Sequence, residues 1–249
     1  MDEEKKTVRA VERALDVLLC FAEGGERGLT EIAGKTGLHK STAHRLLGTL
    51  EEKGFVARDP ATEKYRLGLR ILELAAHLAT PDDPGAVLLG EMVKLRDRLG
   101  ETISLYVRDG CERVRIQAVQ SAQAIRRVAP VGARLPLYVG ASSKVLLAYA
   151  DPAVRAEVLS DPSWPASLDR DAYLRQLDEI AKAGYATSFE EREPGAAAMA
   201  APIFSRTGRL AAALSVSGPS NRMTADVIRE YVPVLVEAAR RMGAMLTSP

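Results

Sequence analysis

The sequence predicts a mixed fold of two domains joined by a linker helix, and three observations support this prediction. Three short amphipathic helices followed by two extended runs have the order of an all-α winged helix-turn-helix with a small β-hairpin wing. A Pro- and Gly-rich break, PDDPG, interrupts residues 81–85. Beyond it, helical segments and extended runs joined by glycine turns indicate an α+β domain with an antiparallel sheet. We therefore expect domains at residues 1–66 and 85–249, with a linker helix and hinge at residues 67–84.

The composition is typical of a folded globular protein. The chain has 249 residues, 47% of them apolar, and its 34 Lys and Arg nearly balance its 33 Asp and Glu. This excludes a wholly disordered chain and a histone-like polycation. No apolar run approaches the roughly 18 residues that cross a bilayer, and the opening MDEEKK does not begin a signal peptide. We expect a cytoplasmic protein with no membrane partner. Cys20 and Cys111 are too few for a disulfide framework and are expected to be small core residues.

Three helices are predicted before the wing. The first ends at Gly24-Gly25, and its apolar stripe consists of Val11, Ala14, Leu15, Leu18 and Ala22. Thr30 is a candidate N-cap for a brief second helix that stops at Gly37. The third helix runs from about Lys40 to Lys53 and is closed by Gly54.

The wing and the linker helix follow. The runs FVARD and EKYRL, separated by Pro60-Ala61-Thr62, are the two predicted strands of the wing. The helix predicted from Leu67 to Ala79 is apolar on two sides. Its two stripes are Leu67, Ile71, Leu74 and Leu78, and Leu69, Leu72 and Ala76. We expect one side to pack in its own domain and the other against a second subunit, the alternative being a fully buried core helix.

The C-terminal half mixes helices and strands. The predicted strands are TISLYVRD, RVRIQAVQ, the extended IRRVAPV, YATSF, AAAMAAPIF and RLAAALSVS. The predicted helices are Ala86 to Leu99, Ser142 to Ala150, Arg170 to Ala183 and Thr224 to Leu246. Trp164, between two prolines, is expected to anchor a loop.

The third helix presents a narrow polar face. At about 100° per residue, its apolar side is Ala43, Leu46, Leu47 and Leu50, and its polar side is Ser41, His44, Arg45 and Gly48. Lys40 and Thr42 flank the polar side at the first turn, where free backbone N–H groups favour a phosphate. Arg45 is suited to bidentate recognition of guanine.

Positive charge is concentrated on this segment. From Arg27 to Leu50 there are four Lys or Arg and one Glu, a net charge of +3 in a chain of formal net charge +1. The hairpin adds Arg58, Lys64 and Arg66. Such a concentration on a helix-turn-helix with a wing predicts contact with DNA phosphates. The alternative is a merely solvated basic face.

These motifs carry a resemblance to a known family. RALDVL, EIA, GLHKSTAHRLL and YRLG occur in that order, and the segment that holds them closely resembles the DNA-binding half of IclR-type transcriptional regulators. The second half resembles that family's effector domain through LPLYVGASSKVLLAYA and GYATSFEEREPGAAAMAAPIF. His39 stands where the family usually has proline, and Ala43 where valine is common.

The resemblance implies a winged helix joined to a GAF-like ligand domain in a DNA-binding regulator, more often a repressor than an activator. It implies a homodimer, with a tetramer as a further state, on a palindromic or repeated double-stranded operator, hence association with the nucleoid when bound. It implies neither enzymatic activity, cofactor nor metal. The predicted DNA-contacting residues are Thr30, Lys40, Ser41, Thr42, His44, Arg45, Arg58, Lys64 and Arg66.

The resemblance also implies a small-molecule effector, a carboxylate or an aromatic acid. The matching positions are Leu135, Ala141, Ser142, Ser188 and Ala198, with Arg127 from the preceding strand. Ser142 begins a helix, where its hydroxyl and nearby N–H groups could hold a carboxylate. This chain departs from the family with Ser143 for glycine, Ser188 for an acid and Ala198 for cysteine. The alanines leave room for a flatter ligand, or else pack closely against a helix.

Other readings of the second half are weaker. Ser142 and Lys144 invite a hydrolase fused to a DNA tether, but residues two apart on a helix point about 200° apart. His39 and His44 are five apart, which is not the i, i+4 spacing of two metal ligands on one helix face. His77 is expected to be a packed or half-exposed side chain. A pure oligomerisation module without a ligand remains a further alternative.

Overall fold

A computed structural model describes residues 7–22, 24–77, 83–126 and 130–246. The chain divides into two compact units, Met1–Thr80 and Pro81–Pro249. The predicted fold class is confirmed, because the first unit is helical with a two-stranded hairpin and the second is α+β with an antiparallel sheet. Residues 78–82, which hold Leu78 of the linker stripe and the first two residues of the predicted break, lie outside the described residues.

The N-terminal unit has its elements in the predicted order. They are α1 (Arg9–Leu19), α2 (Leu29–Thr36), α3 (Lys40–Glu52), β1 (Val56–Arg58), β2 (Tyr65–Leu67) and α4 (Leu69–Ala76). The hydrophobic core of the unit consists of Val17, Phe21, Ile32, Leu47, Leu50, Val56 and Tyr65. This small core fixes which side of α3 faces inward.

The predicted apolar stripe of α1 is only partly the buried one. Val17 and Phe21 are buried, whereas Val11 and Leu15 are exposed, Leu15 by 53%. The helix therefore has two apolar sides, and one of them is exposed to solvent in the single chain. Periodicity finds apolar stripes but does not say which stripe meets the core.

Two boundaries in this unit differ from prediction. The N-cap of α2 is Gly28 rather than Thr30, which lies within the first turn of the helix. Leu67 belongs to strand β2, opposite Val56, and α4 begins two residues later. None of the α4 side chains is buried in the single chain, and Leu72 is 67% exposed. The fully buried core helix, left open as an alternative, is therefore wrong.

The C-terminal unit is built on one six-stranded sheet of order β5-β4-β3-β8-β7-β6. Its strands are β3 (Thr102–Asp109), β4 (Glu112–Val119), β5 (Arg134–Pro136), β6 (Ala186–Phe189), β7 (Ala196–Phe204) and β8 (Leu210–Pro219). Its helices are α5 (Pro84–Val87), α6 (Leu89–Leu99), α7 (Ala141–Ala148), α8 (Pro152–Leu159), α9 (Arg170–Ala183) and α10 (Ala225–Met245). Every neighbouring pair of strands is antiparallel.

Both faces of this sheet are covered. Leu214 and Val216 of β8 belong to a core shared with α6 and α10. Ala213, which alternates with them, belongs to a second core shared with α7 and α9. Trp164 anchors its loop as expected, because its Nε1–H donates to the Leu168 carbonyl at 2.8 Å and its ring packs edge-on to Tyr173.

Several details of this unit were not predicted. The helix expected from Ala86 to Leu99 is two pieces, because α5 ends before Leu88 and α6 follows it. Helix α8, begun by Pro152, is additional. The middle of the extended run IRRVAPV lies outside the described residues. Cys111 of this unit and Cys20 of the N-terminal unit are half-buried beside their cores, and burial raises the pKa of both thiols.

Candidate nucleic-acid interface and ligand cavity

The polar side of α3 faces solvent. Ser41, His44 and Arg45 are exposed, whereas Ala43 and Leu47 on the opposite side are buried in the core of the unit. The helix therefore offers hydroxyl, imidazole and guanidinium groups on one free surface. These groups can donate to base edges and to phosphates.

The start of α3 is organised by His39. Its Nδ1 lies 2.8 Å from Ser41 Oγ and accepts a hydrogen bond from the Ser41 backbone N–H at 3.4 Å, so His39 is the N-cap of the helix. Lys40 is exposed and Thr42 is half-buried at this first turn. A positive side chain therefore stands beside the end of the helix that favours anions.

A groove between α1 and α3 adds a cation that sequence reasoning missed. Arg13 of α1 lines this groove together with Thr42, Arg45 and Thr49 of α3. Arg13 lies outside the single apolar stripe predicted for α1, and nothing in the sequence assigns it a role. Its proximity to α3 depends on helix packing.

The wing places its basic residues on the outside. Arg58 of β1 pairs with Glu63 at 2.8 Å and lies over the Tyr65 ring, with its guanidinium carbon 5.8 Å from the ring centroid. Lys64 and Arg66 are exposed, as is Thr30 on α2. The Glu63 carboxylate reduces the positive charge that Arg58 presents to an incoming phosphate.

In the C-terminal unit, a cavity lies between the sheet and the start of α7. Its volume is about 50 Å³. It is lined by Tyr106, Arg113, Arg115, Gly140, Ala141, Ser142, Ser188, Arg192, Glu193, Ala196, Ala197, Ala198, Ser215 and Ser217. The floor is made of small side chains on β7 and β8, which leave space above the sheet.

Four of the six positions proposed for an effector meet at this cavity. Ala141 and Ser142 come from the first turn of α7, Ser188 from β6 and Ala198 from β7, where Ser188 and Ala198 are direct partners in the strand register. Leu135 is not among the lining residues and packs instead against the core beneath α7 and α9. Arg127 lies outside the described residues.

The main residues that sequence reasoning missed are Arg113, Arg115 and Tyr106. Arg113 and Arg115 alternate with Val114 and Ile116 along β4, a pattern that normally points the polar side chains to solvent. Here α7 covers that face as well, so the arginines are buried. Because Arg113 and Arg115 are two residues apart, the sequence predicts that they lie on the same face of β4. It does not predict that another element covers this face.

Arg113 is held at the start of α7. Its Nη1 donates to the Val139 carbonyl at 3.1 Å, to Ser142 Oγ at 2.9 Å and to Ser143 Oγ at 2.7 Å. A Cβ on Gly140 would stand 3.0 Å from this same nitrogen. Gly140 also has a φ of 92°, which favours glycine. The absence of a side chain there lets the guanidinium approach the helix.

An ion pair between a buried lysine and a partly exposed glutamate ties the loop after β6 to α7. Lys144 Nζ forms a salt bridge with Glu191 and donates to the Thr187 carbonyl at 2.9 Å. The second carboxylate oxygen of Glu191 accepts from the Gly140 backbone N–H at 3.1 Å. We name these three residues, Lys144, Glu191 and Gly140, the α7 clasp. The clasp fixes the loop that contributes Arg192 and Glu193 to the cavity.

This arrangement does not assemble a Ser–Lys pair. Ser142 lines the cavity and accepts from Arg113, whereas Lys144 lines a separate depression with Tyr138 and Tyr173.

In the described part of the chain, no cluster of three His, Cys, Asp or Glu side chains is arranged to hold a metal ion. Nor does that part contain a helix of the length and apolarity needed to span a bilayer.

Comparison with known families decides the identity of the chain. Residues 10–60 match the IclR helix-turn-helix domain, and residues 86–244 match the bacterial transcriptional regulator IclR C-terminal domain. The chain belongs to the IclR family. Like its relatives, this IclR-family protein is a transcriptional regulator with a helix-turn-helix DNA-binding domain and a C-terminal effector domain.

Individual relatives are similar over nearly their whole length. The HTH-type transcriptional regulator KdgR of Escherichia coli (strain K12) is 33% identical over 251 residues, which covers 99% of this chain and 95% of KdgR. The HTH-type transcriptional repressor AllR of the same strain is 29% identical, covering 97% of this chain and 92% of AllR.

A solved structure is similar in fold as well. It is that of an IclR homolog complexed with 4-hydroxybenzoate from Microbacterium hydrocarbonoxydans, with a TM-score of 0.82 and 31% sequence identity. The match covers 95% of this chain and 98% of that chain.

Proposed function

We propose that this IclR-family protein is a repressor that binds a two-part operator through α3 and releases it when a small organic acid occupies the cavity. The observation that carries the DNA-binding part is the free surface formed by Ser41, His44 and Arg45. AllR, a relative over nearly the whole chain, is named a repressor. The predicted contacts to phosphates come from Lys40 and Thr42 at the first turn of α3 and from Thr30, Arg58, Lys64 and Arg66 around it.

The DNA-binding part is tested with an operator selected by the protein from random duplexes. Arg45→Ala is expected to cost about 1–3 kcal/mol of binding free energy and to relax base preference, because Arg45 reads a base edge. Lys40→Ala is expected to weaken all sequences alike and to lower the salt slope by about one. Lys53→Ala, at the far end of α3, is the matched control. An Arg45→Ala protein with unchanged affinity and preference would contradict the assignment.

The effector part rests on the cavity beside α7. Ser142 and the backbone N–H groups at the start of α7 are donors that suit a carboxylate, and a homolog of similar fold was crystallised with 4-hydroxybenzoate. The test is operator affinity across a panel of aliphatic and aromatic acids and neutral polyols. We expect at least one acid in the panel to lower the affinity of the protein for its operator. If no compound in the panel changes operator affinity, the proposal that an effector controls DNA binding is contradicted, even if a compound binds to the protein.

A twofold dimer completes the proposal. The apolar side chains that α4 and α1 with its N-cap expose in the single chain are Val8, Val11, Leu15, Leu19, Leu69, Leu72 and Leu74. A surface of this kind marks a protein interface, and a twofold dimer presents two recognition helices about one DNA turn apart. Leu72→Glu is expected to yield monomers in analytical ultracentrifugation, with Glu73→Gln as the control. Dimers that persist in Leu72→Glu would contradict this interface.

A further inference from the structure

The C-terminal unit has a second, larger space outside the cavity, bordered by α9 and by the loop that holds Trp164. We name it the outer depression. Its volume is about 570 Å³, within the ~300–1,000 Å³ of small-molecule sites, whereas the cavity beside α7 has about 50 Å³. Its apolar wall consists of Pro136, Tyr138, Pro165, Leu168 and Tyr173. The outer depression can therefore accept a ligand with a ring system.

Three aromatic rings are packed edge to face along this wall. The centroid of the Trp164 ring lies 5.7 Å from that of Tyr138 and 5.2 Å from that of Tyr173, with interplanar angles of 63° and 83°. Trp164 and Tyr173 are buried, whereas Tyr138 is half-buried. Tyr138 thus presents part of its ring to the depression while Trp164 supports it from behind. A further ring in edge-to-face or offset-stacked contact would extend this cluster favourably.

The charged groups of the lining are already paired within the protein. Lys144 forms its salt bridge with Glu191, and both line the outer depression. Arg192 lines the depression as well and pairs with Glu193 at 2.8 Å. A charged ligand would have to compete with these ion pairs and would lose its own hydration. The lining therefore favours a ligand without charge.

Uncharged polar groups complete the lining. Gln176 is exposed on α9, three residues after Tyr173, so the two side chains lie on the same side of that helix. Ser167 lines the depression from the loop after Trp164. A carboxamide and a hydroxyl can each donate and accept hydrogen bonds. These groups can therefore bind a neutral polar substituent at the edge of a ring.

We propose that the outer depression is a second small-molecule site, which takes an uncharged ligand of one or two aromatic rings with a hydroxyl or amide substituent. The ring packs against Tyr138 and the prolines, and the substituent binds Gln176 or Ser167. This ligand is not the organic acid of the proposed function. It lies against Lys144 and Glu191, and thus against the α7 clasp, whose Gly140 lines the cavity.

The test is calorimetric titration of the full-length protein with three matched probes, benzamide, benzoate and cyclohexanecarboxamide. Benzamide is expected to bind about 3- to 10-fold more tightly than the saturated amide, because an aromatic pair adds this much beyond the buried area. Benzoate is expected to bind at least about tenfold more weakly than benzamide, because its charge has to be desolvated beside ion pairs that are already compensated.

Trp164 reports where the probe binds, because it is the only tryptophan of the chain. Full-length protein produced with fluorotryptophan gives a single fluorine NMR signal. The Trp164 ring packs against Tyr138 and Tyr173, both of which line the depression. Benzamide is therefore expected to shift this signal with the same Kd that calorimetry gives.

Variants assign the binding to the depression. Tyr138→Leu keeps an apolar side chain but removes the ring, so it is expected to lower benzamide affinity about 3- to 10-fold and to abolish the preference over cyclohexanecarboxamide. Tyr231→Leu, at a half-buried tyrosine of α10 in the core on the other face of the sheet, is the matched control. Gln176→Ala changes an exposed side chain and is expected to lower affinity about 2- to 10-fold through the loss of one hydrogen bond.

Several results would overturn the inference. In the wild-type protein these are absent binding of benzamide, equal binding of benzamide and either matched probe, or a Trp164 signal that does not move at benzamide saturation. In the variants, they are unchanged benzamide affinity in Gln176→Ala, or an unchanged preference in a Tyr138→Leu protein that thermal unfolding shows to be folded. Because none of these measurements involves the operator, each outcome leaves the proposed function untouched.

Discussion

Gly68 packs directly against the backbone of Gly54, and a Cβ on Gly68 would stand 2.1 Å from the Gly54 carbonyl oxygen. The Gly68 N–H donates to the Phe55 carbonyl at 2.8 Å, and the Arg70 N–H donates to the Gly54 carbonyl at 3.2 Å. These contacts join the end of α3 to the start of α4 through the main chain. The glycine of the YRLG motif therefore sets the position of α4 on the DNA-binding unit.

Replacing Gly68 by alanine should destabilise the N-terminal unit. Because the atom in the way is backbone, α4 has to shift, and overpacking of this kind costs about 1–3 kcal/mol of unfolding free energy. Hydrogen exchange of the amides in α1, α3 and α4 measures the effect on this unit alone.

Gly48→Ala is the matched control, because a Cβ there meets no atom within 4 Å and Gly48 lies inside α3. Alanine in a helix interior should be neutral or stabilise by about 0.5–1 kcal/mol. Equal protection factors in the Gly68→Ala and wild-type proteins would show that the close contact is tolerated without strain.

Tyr173 should make the C-terminal unit sensitive to alkali. Burial raises the pKa of its phenol above the ordinary value of 10.0, with the Glu191 charge adding to the effect, and its hydroxyl donates to the Leu137 carbonyl at 3.0 Å. In the unfolded chain Tyr173 ionises at its ordinary pKa, but in the folded protein it stays neutral. The stabilisation is therefore complete below pH 10 and is lost as pH rises above it.

Urea unfolding between about pH 8 and about pH 11 tests this dependence. Tyr173→Phe should lose about 1 kcal/mol at neutral pH with the hydrogen bond, yet its stability should fall less steeply above pH 10. If the two proteins lost stability in parallel over this range, Tyr173 would not be the group responsible.

The α7 clasp should be asymmetric in its response to substitution. The Lys144 side chain is 4% exposed whereas that of Glu191 is 32% exposed. Glu191→Ala leaves a buried ammonium without its carboxylate, which costs up to about 3–5 kcal/mol. Lys144→Met leaves only a partly solvated carboxylate and keeps an apolar chain of similar length, so it should cost less.

Thermal unfolding of both variants compares the two losses, with Glu179→Ala on α9 as the control for removal of an exposed carboxylate. A greater loss in Lys144→Met than in Glu191→Ala would contradict the asymmetry and indicate that packing of the Lys144 side chain, not its charge, dominates.

The exposed polar side of α3 was the easier part to predict. On α3, a period of 3.6 residues in a domain with one small core leaves one orientation for Ala43 and Leu47, so Ser41 and Arg45 have to face outward. The same logic failed on α1, because Leu15 and Val17 lie on two apolar sides and only tertiary packing distinguishes them. Thr30 was misplaced as a cap for a related reason, since Gly28 at the true N-cap forms no side-chain hydrogen bond that a sequence pattern reveals.

The cavity was harder because its walls come from distant parts of the chain. Tyr106 of β3 and Ser215 of β8 come together at the cavity only through the pairing of β3 with β8, which no local pattern encodes. The two β4 arginines look solvent-facing until α7 is placed over them. Ala141 and Ser142 were predicted from a family motif, whereas β4, which carries Arg113 and Arg115, contains no such motif.

Glu191 already accepts a hydrogen bond from the Gly140 amide, one of the donors at the start of α7. An effector acid bound to this amide, as proposed above, would have to displace the Glu191 carboxylate, which competes at an effective concentration on the order of millimolar because it is held on a neighbouring loop. Operator release would then begin only at effector concentrations high enough to outcompete Glu191.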